Sequence, residues 1–182
     1  MSRLLKFALH AAVIGVGLLS VLRDGDKPQT FTGAVARVVD GDTIKVTVGD
    51  DTYTVRLDAI DAPELAQSHG EDARRALSRA VLGKSVEVRW SKTDRYGRRI
   101  GKVFRQQALV NLSLVEDGHA WHYVEYDDDA TYGDAQEAAK QDKLGLWRNA
   151  KPQAPWDYRS ELRAKRKQAK EKTKQKAKEK AK

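Results

Sequence analysis

The sequence predicts an α+β domain, mainly β, and three observations predict it. Apolar and polar residues alternate in several short stretches, one helical pattern falls between the third and fourth stretch, and glycine-bearing turns separate them. Gly33 to Val39 forms the expected first strand, and Ile44, Val46 and Val48 alternate in the second. Gly49, Asp50 and Asp51 supply turn chemistry before Tyr53, Val55 and Leu57, the third. Ala73, Ala76, Leu77, Ala80 and Val81 then recur at helical spacing, behind acidic Glu71 and Asp72 and ahead of Gly83 at a C-cap position. Val86, Val88 and Trp90 give the fourth strand, and Ile100 to Phe104 the fifth. Helices fit Leu109 to Asp117 and Tyr132 to Lys143, each ending near a glycine. Three strands, a helix and two more strands describe a five-stranded OB-type barrel with about three helices.

The ends of the chain read differently. Arg3 and Lys6 precede the apolar run Phe7 to Leu22, so residues 1–23 are expected as a membrane anchor or an export signal. No small-residue cleavage site follows the run, which favours an uncleaved transmembrane anchor over a cut signal. By the positive-inside rule the domain then sits outside the cytoplasm, or is secreted or periplasmic if the segment is cut. Polar residues 24–32 read as a linker, 33–158 as the domain, and 159–182 as a Lys-rich, partly helical tail. The tail reads as solvated, with nucleic acid or anionic lipid as its expected partners.

Charge is unevenly spread. The net charge is +8, but residues 159–182 hold 12 Lys and Arg against 3 Glu, leaving 22 basic against 23 acidic residues before them. Global charge therefore gives the domain no general affinity for polyanions, and a function must rest on particular side chains. With no cysteine in the chain, thiolate metal ligands and disulfides are excluded, and His69, His119 and His122 lack metal-ligand spacing.

The informative side chains lie between Asp40 and Glu64. Asp42 at the entry to the second strand and Asp61 after the third offer hard carboxylate oxygens of the kind that calcium takes, with Asp40 in a supporting position. Arg56 lies between Val55 and Leu57, so period two turns its guanidinium away from their core and toward the acids. Glu64 follows Pro63 in a turn and is placed to accept a proton from an attacking water. A second arginine, Arg98, follows Tyr96 and Gly97, and two arginines suit a phosphate whose charge grows in the transition state.

These motifs, D-G-D-T at Asp40 to Thr43, R-L-D-A-I-D-A-P-E at Arg56 to Glu64 and D-R-Y-G-R at Asp94 to Arg98, resemble the staphylococcal nuclease (thermonuclease) family. The resemblance runs from about Gly33 to Tyr158 and includes L-G-L-W at Leu144 to Trp147. It implies calcium held by Asp42, Asp61 and the backbone carbonyl of Ala62, with Asp40 in support. It implies Arg56 and Arg98 on the scissile phosphate, Glu64 as the base and Tyr96 against a nucleotide. The implied activity is cleavage of DNA and RNA to 3′-phosphate products by a chain expected to be monomeric. The alternative is a membrane-tethered, non-catalytic OB-fold module that binds nucleic acid or protein, since this fold hosts both. The intact carboxylates argue against it, because without a cation they repel a phosphate backbone.

Overall fold

The alternation noted above closes into a barrel. In the computed structural model, which describes residues 28–180, strand β1 (Gln29–Val38) pairs antiparallel with β2 (Thr43–Val48), and β2 with β3 (Asp51–Leu57). A short β4 (Ile60–Asp61) and helix α1 (Gly70–Val81) follow, then β5 (Ser85–Thr93), which pairs with the other edge of β1. Strand β6 (Arg99–Arg105) pairs antiparallel with β5 and parallel with β3, which closes the ring. Closure leaves β1, β2, β3, β5 and β6 with no open edge between them, as an OB-type barrel requires.

The inward positions are those that the alternation selects. Val35, Ile44, Val46, Val55, Leu57, Val86, Val88 and Val103 are buried, while Val48, Tyr53 and Trp90 are half-buried. Gly49 takes φ 58° in the β2–β3 turn, a conformation that costs glycine little. Helix α1 buries Ala73, Ala76, Leu77 and Val81 against this core, so its amphipathic spacing plugs one end of the barrel.

The strand β7 (Ala108–Leu109) pairs with β6 and leads into α2 (Val110–Glu116). Asn111 of α2 is fully buried; its Oδ1 accepts from the Val103 N–H, and its amide donates to the carbonyls of Asp58 and Gly101. One side chain thus ties the helix to β6 and to the loop after β3. Strand β8 (Trp121–His122) pairs with β4, and α3 (Ala130–Gln141), a 3-10 turn (Gly145–Arg148) and α4 (Pro155–Lys180) complete the described chain.

Three boundaries differ from expectation. Gln29 to Thr32, expected in a linker, extend β1 because their backbone finds partners in β5, with Gln29 opposite Trp90 and Phe31 opposite Val88. The helix expected from Tyr132 starts earlier, at Ala130, because the Asp129 carboxylate accepts from the Thr131 N–H and caps it. Residue 159, expected to open a separate tail, lies inside α4. The expected N-terminal anchor or signal falls outside the described residues, and among those described no helix is long and apolar enough to cross a membrane.

His69, at the N-cap of α1, and His119, after α2, stack with ring centroids 5.1 Å apart, and Nε2 of His69 lies 2.9 Å from Nδ1 of His119. That bond needs one ring nitrogen to donate and the other to accept, so two imidazolium rings cannot share it. Burial holds both rings below the ordinary histidine value, although Asp72, 3.7 Å from His69, works the other way for that ring. The unfolded chain therefore binds these protons first as pH falls. The stability this pair contributes is present above about pH 6.5 and is lost as pH drops through the lowered folded values. Urea unfolding followed between pH 8 and 5, about the range where histidine titrates, is expected to show that loss, and His119→Gln should flatten the lower part of the curve. A wild-type profile identical to that of the variant would rule the pair out as its source.

Candidate active site

The site is built where the ends of β2, β3 and β4 meet. Asp40 opens a tight turn, its Oδ1 accepting from the Asp42 N–H at 3.1 Å, and Asp42 hands the chain into β2. Asp42 is buried, and its carboxylate accepts from the Thr43 hydroxyl at 3.0 Å and the Ala62 N–H at 2.8 Å. Thr43 lies opposite Arg56 in the β2–β3 register, so the arginine arrives beside the acids. Its Nη1 lies 3.1 Å from Asp42 Oδ2 and donates to the Leu57 and Ile60 carbonyls, and its Nη2 donates to Asp61 Oδ1 at 2.7 Å. One guanidinium thus joins two carboxylates that would otherwise repel each other.

Asp61 reaches that position through a sharp corner. Ala59 takes φ 66°, a strained conformation for a residue with a Cβ, and swings Ile60 and Asp61 back into pairing with β8. Asp61 is 1 % exposed. Burial, with a smaller contribution from the charge on Asp42, raises its carboxyl above the usual range despite the arginines, and Asp40 is pushed to about 6 by burial and by Asp42. Glu64 sits at the mouth; its N–H donates to Gln67 Oε1, and its carbonyl accepts from the Gln67 N–H, a turn that Gly70 makes possible. A Cβ at Gly70 would stand 2.0 Å from that Glu64 carbonyl.

A residue that the sequence assigned to the tail completes the cluster. Arg159 donates twice to Asp61, at 3.1 and 2.7 Å, and once to Glu64 Oε1 at 2.9 Å. Burial works against its charge, but Asp61 and then Glu64 outweigh it and raise the guanidinium above its ordinary value. It is delivered by α4, whose Trp156 stacks on Tyr123 with centroids 5.3 Å apart and planes at 7°, and meets Trp121 edge-on at 5.6 Å. One turn beyond that anchor, an arginine necessarily faces β4. The available signal was this spacing, Trp156 to Arg159 just after Pro155, which the lysine-rich composition that follows obscures.

Arg98 stands across the cleft rather than in the cluster. Asp94 accepts from the Tyr96 and Arg98 N–H groups and from Arg98 Nε at 2.8 Å, which folds the D-R-Y-G-R turn. Those bonds outweigh burial and hold Asp94 below the usual carboxylate range. Tyr96 is 68 % exposed, with the guanidiniums of Arg95 and Arg98 at 4.8 and 5.6 Å from its ring. Arg99 lies 3.7 Å from the Tyr53 ring centroid and 4.8 Å from that of Trp90. The Ala62 N–H ties the end of this corner to Asp42.

These groups line one cleft of about 590 Å³. Its floor carries Asp40, Asp42 and Asp61, with Glu64 at the mouth, and the two arginines bonded to this group, Arg56 and Arg159, leave it an excess of two negative charges. Lys92, Arg95, Arg98 and Arg163 line it as well, with Tyr96, Tyr123 and Tyr126. Among the described residues no three His, Cys, Asp or Glu side chains form a closed metal cage, and Arg56 and Arg159 bond to Asp61.

A small barrel with such a cleft at the ends of its strands defines an enzyme built for phosphodiesters, a hydrolase of nuclease type. The model of the staphylococcal nuclease homologue family matches residues 54–149. An endonuclease of Escherichia coli O157:H7, described as uncharacterized, is 41% identical over 128 residues, covering 70% of this chain and 84% of that protein. A micrococcal nuclease of Shigella flexneri is 38% identical over 140 residues, 71% of this chain and 80% of its own. A probable staphylococcal-like nuclease of Oryza sativa subsp. japonica is 34% identical over 117 residues, 64% of this chain and 31% of its own. The chain belongs to the staphylococcal nuclease family. The family match includes Arg56, Asp61, Glu64 and Arg98, while Asp40, Asp42 and Arg159 fall outside it.

Proposed function

We propose that the chain is a calcium-dependent nuclease that hydrolyses phosphodiester bonds of DNA and RNA and leaves 3′-phosphates. The observation that carries this reading is the cleft's division into an anionic floor and a cationic rim. A polyanion meets the rim, and the net negative charge that the two arginines leave on the acidic group suits a hard divalent cation held by Asp42 and Asp61 with Asp40 in support. Such a cation would polarise a phosphoryl oxygen and make a bound water more acidic. The protein's own residues do the rest. Arg56 fixes the separation of Asp42 and Asp61, Glu64 accepts a proton from water at the open mouth, and Arg98 neutralises charge gathering on the phosphate. Tyr96, flanked by two arginines, offers a face on which a base can stack. The placement of the domain outside the cytoplasm and the membrane anchor belong to the same proposal and rest on residues 1–23.

The test is incubation of the full-length chain with single-stranded DNA and with RNA, in calcium and then in excess chelator, with analysis of the product ends. Loss of both substrates in calcium, its abolition by chelator and 3′-phosphate ends are expected. Undiminished cleavage in chelator would overturn the cation's role, and intact substrate in calcium would overturn the nuclease reading.

A further inference from the structure

The outer part of α4 has no role in the site described. From Ala164 to Lys178 each residue is exposed, so packing explains nothing there. Lysines recur four apart at Lys170, Lys174 and Lys178, an arrangement that weakens a helix until an anion relieves the repulsion.

The distribution of charge around the helix is not uniform. At about 100° per residue, Arg159, Arg163, Arg166, Lys170 and Lys174 fall within a sector of about 80°. No acid lies in it. Asp157 and Glu161 project near its opposite, and Glu171 lies outside it. This acid-free sector is the one whose inner end enters the cleft: Arg159 bonds to Asp61 and Glu64, and Arg163, one turn outward, lines the same cleft. The stacking of Trp156 on Tyr123 and the bond from Gln67 Nε2 to the Gln153 carbonyl fix where the helix starts. Arg159 to Lys174 spans about 22 Å at 1.5 Å per residue.

We infer that this sector is a track for the phosphate backbone of a single nucleic-acid strand leaving the active site. The inference rests on the nuclease reading and extends it to the substrate outside the cleft. A strand held at the rim by Lys92, Arg95 and Arg98 continues onto a row of cations that begins in the same cleft. Charge complementarity and that continuity select a strand over a membrane surface, which has no need of a row starting at the catalytic carboxylates. The track favours long substrates over short ones by lengthening the contact.

The experiment compares two triple variants of the full-length chain that change net charge equally. One is Arg166→Glu with Lys170→Glu and Lys174→Glu on the track; the other is Lys165→Glu with Lys172→Glu and Lys176→Glu on the far side. Binding of a long single-stranded DNA is measured in chelator across a salt series, and cleavage of a dinucleotide in calcium. For the track variant the slope of log Kd against log salt is expected to fall by about 2 and affinity by about tenfold or more, at roughly 0.7 for each phosphate no longer neutralised. The far-side variant should bind as the wild type does, and both should cleave the dinucleotide at the wild-type rate. Equal losses in the two variants, or none in either, would overturn the track. So would unchanged DNA binding together with loss of binding to anionic phospholipid vesicles in the track variant, which would assign the row to lipid. Because binding is read in chelator, it decides the track independently of cleavage, whereas failure of the wild type to cleave the long single-stranded DNA in calcium would remove the nuclease reading alone.

Discussion

Replacing Arg56 with alanine is expected to slow cleavage by at least about a hundredfold and to lower stability by about 3 kcal/mol. Both effects follow from its four partners. The guanidinium meets Asp42 and Asp61 and donates to two carbonyls, so its loss leaves two buried carboxylates facing one another. Asp42 keeps the Ala62 N–H and Thr43, and Asp61 keeps Arg159, which is why the cost stays below that of a fully orphaned charge. Arg56→Lys separates charge from shape. A lysine retains the positive charge but cannot reach both acids and both carbonyls with one planar group, so it should recover part of the stability and little of the rate. Cleavage rates and urea unfolding of both variants provide the check. An alanine variant within about tenfold of the wild-type rate would show that the bridge between the acids is dispensable.

Arg159→Ala is expected to cost about 1–3 kcal/mol and to slow cleavage by about tenfold or more, because Asp61 and Glu64 lose a shared partner together. Ending the chain after Tyr158 removes the same guanidinium, and ending it after Lys167 keeps it. The first shortened chain should therefore behave as Arg159→Ala does at the site, and the second as the wild type does with a dinucleotide. If chains ending at 158 and at 167 cleave a dinucleotide equally well, Arg159 has no part in the chemistry.

The barrel was legible because its physics is local. Each strand writes its own alternation, and the position of Arg56 between Val55 and Leu57 sets the direction of its side chain without tertiary information. Asp40, Asp42, Arg56 and Asp61 are likewise joined by turns and a hairpin, so sequence proximity foretells spatial proximity. What was not legible depends on distant partners. Gln29 to Thr32 lack a clear apolar alternation and become strand only by pairing with β5. Asn111 reads as an ordinary helix residue until three backbone groups converge on it. Arg159 reaches Asp61 across 98 residues, and its setting among lysines and glutamines suggested a solvated tail. Composition describes the average behaviour of a segment, whereas a single anchored turn obeys its anchor.

The seating of Trp156 also gives the protein an optical signal of its own. Of four tryptophans, Trp121, Trp147 and Trp156 form one cluster beside Tyr123, with Trp121 touching both of the others. Excitation energy absorbed anywhere in that group is shared at such short separations. The emission colour therefore reports whether the start of α4 is shielded or wet, and with it whether Arg159 is in place, without a dye or label.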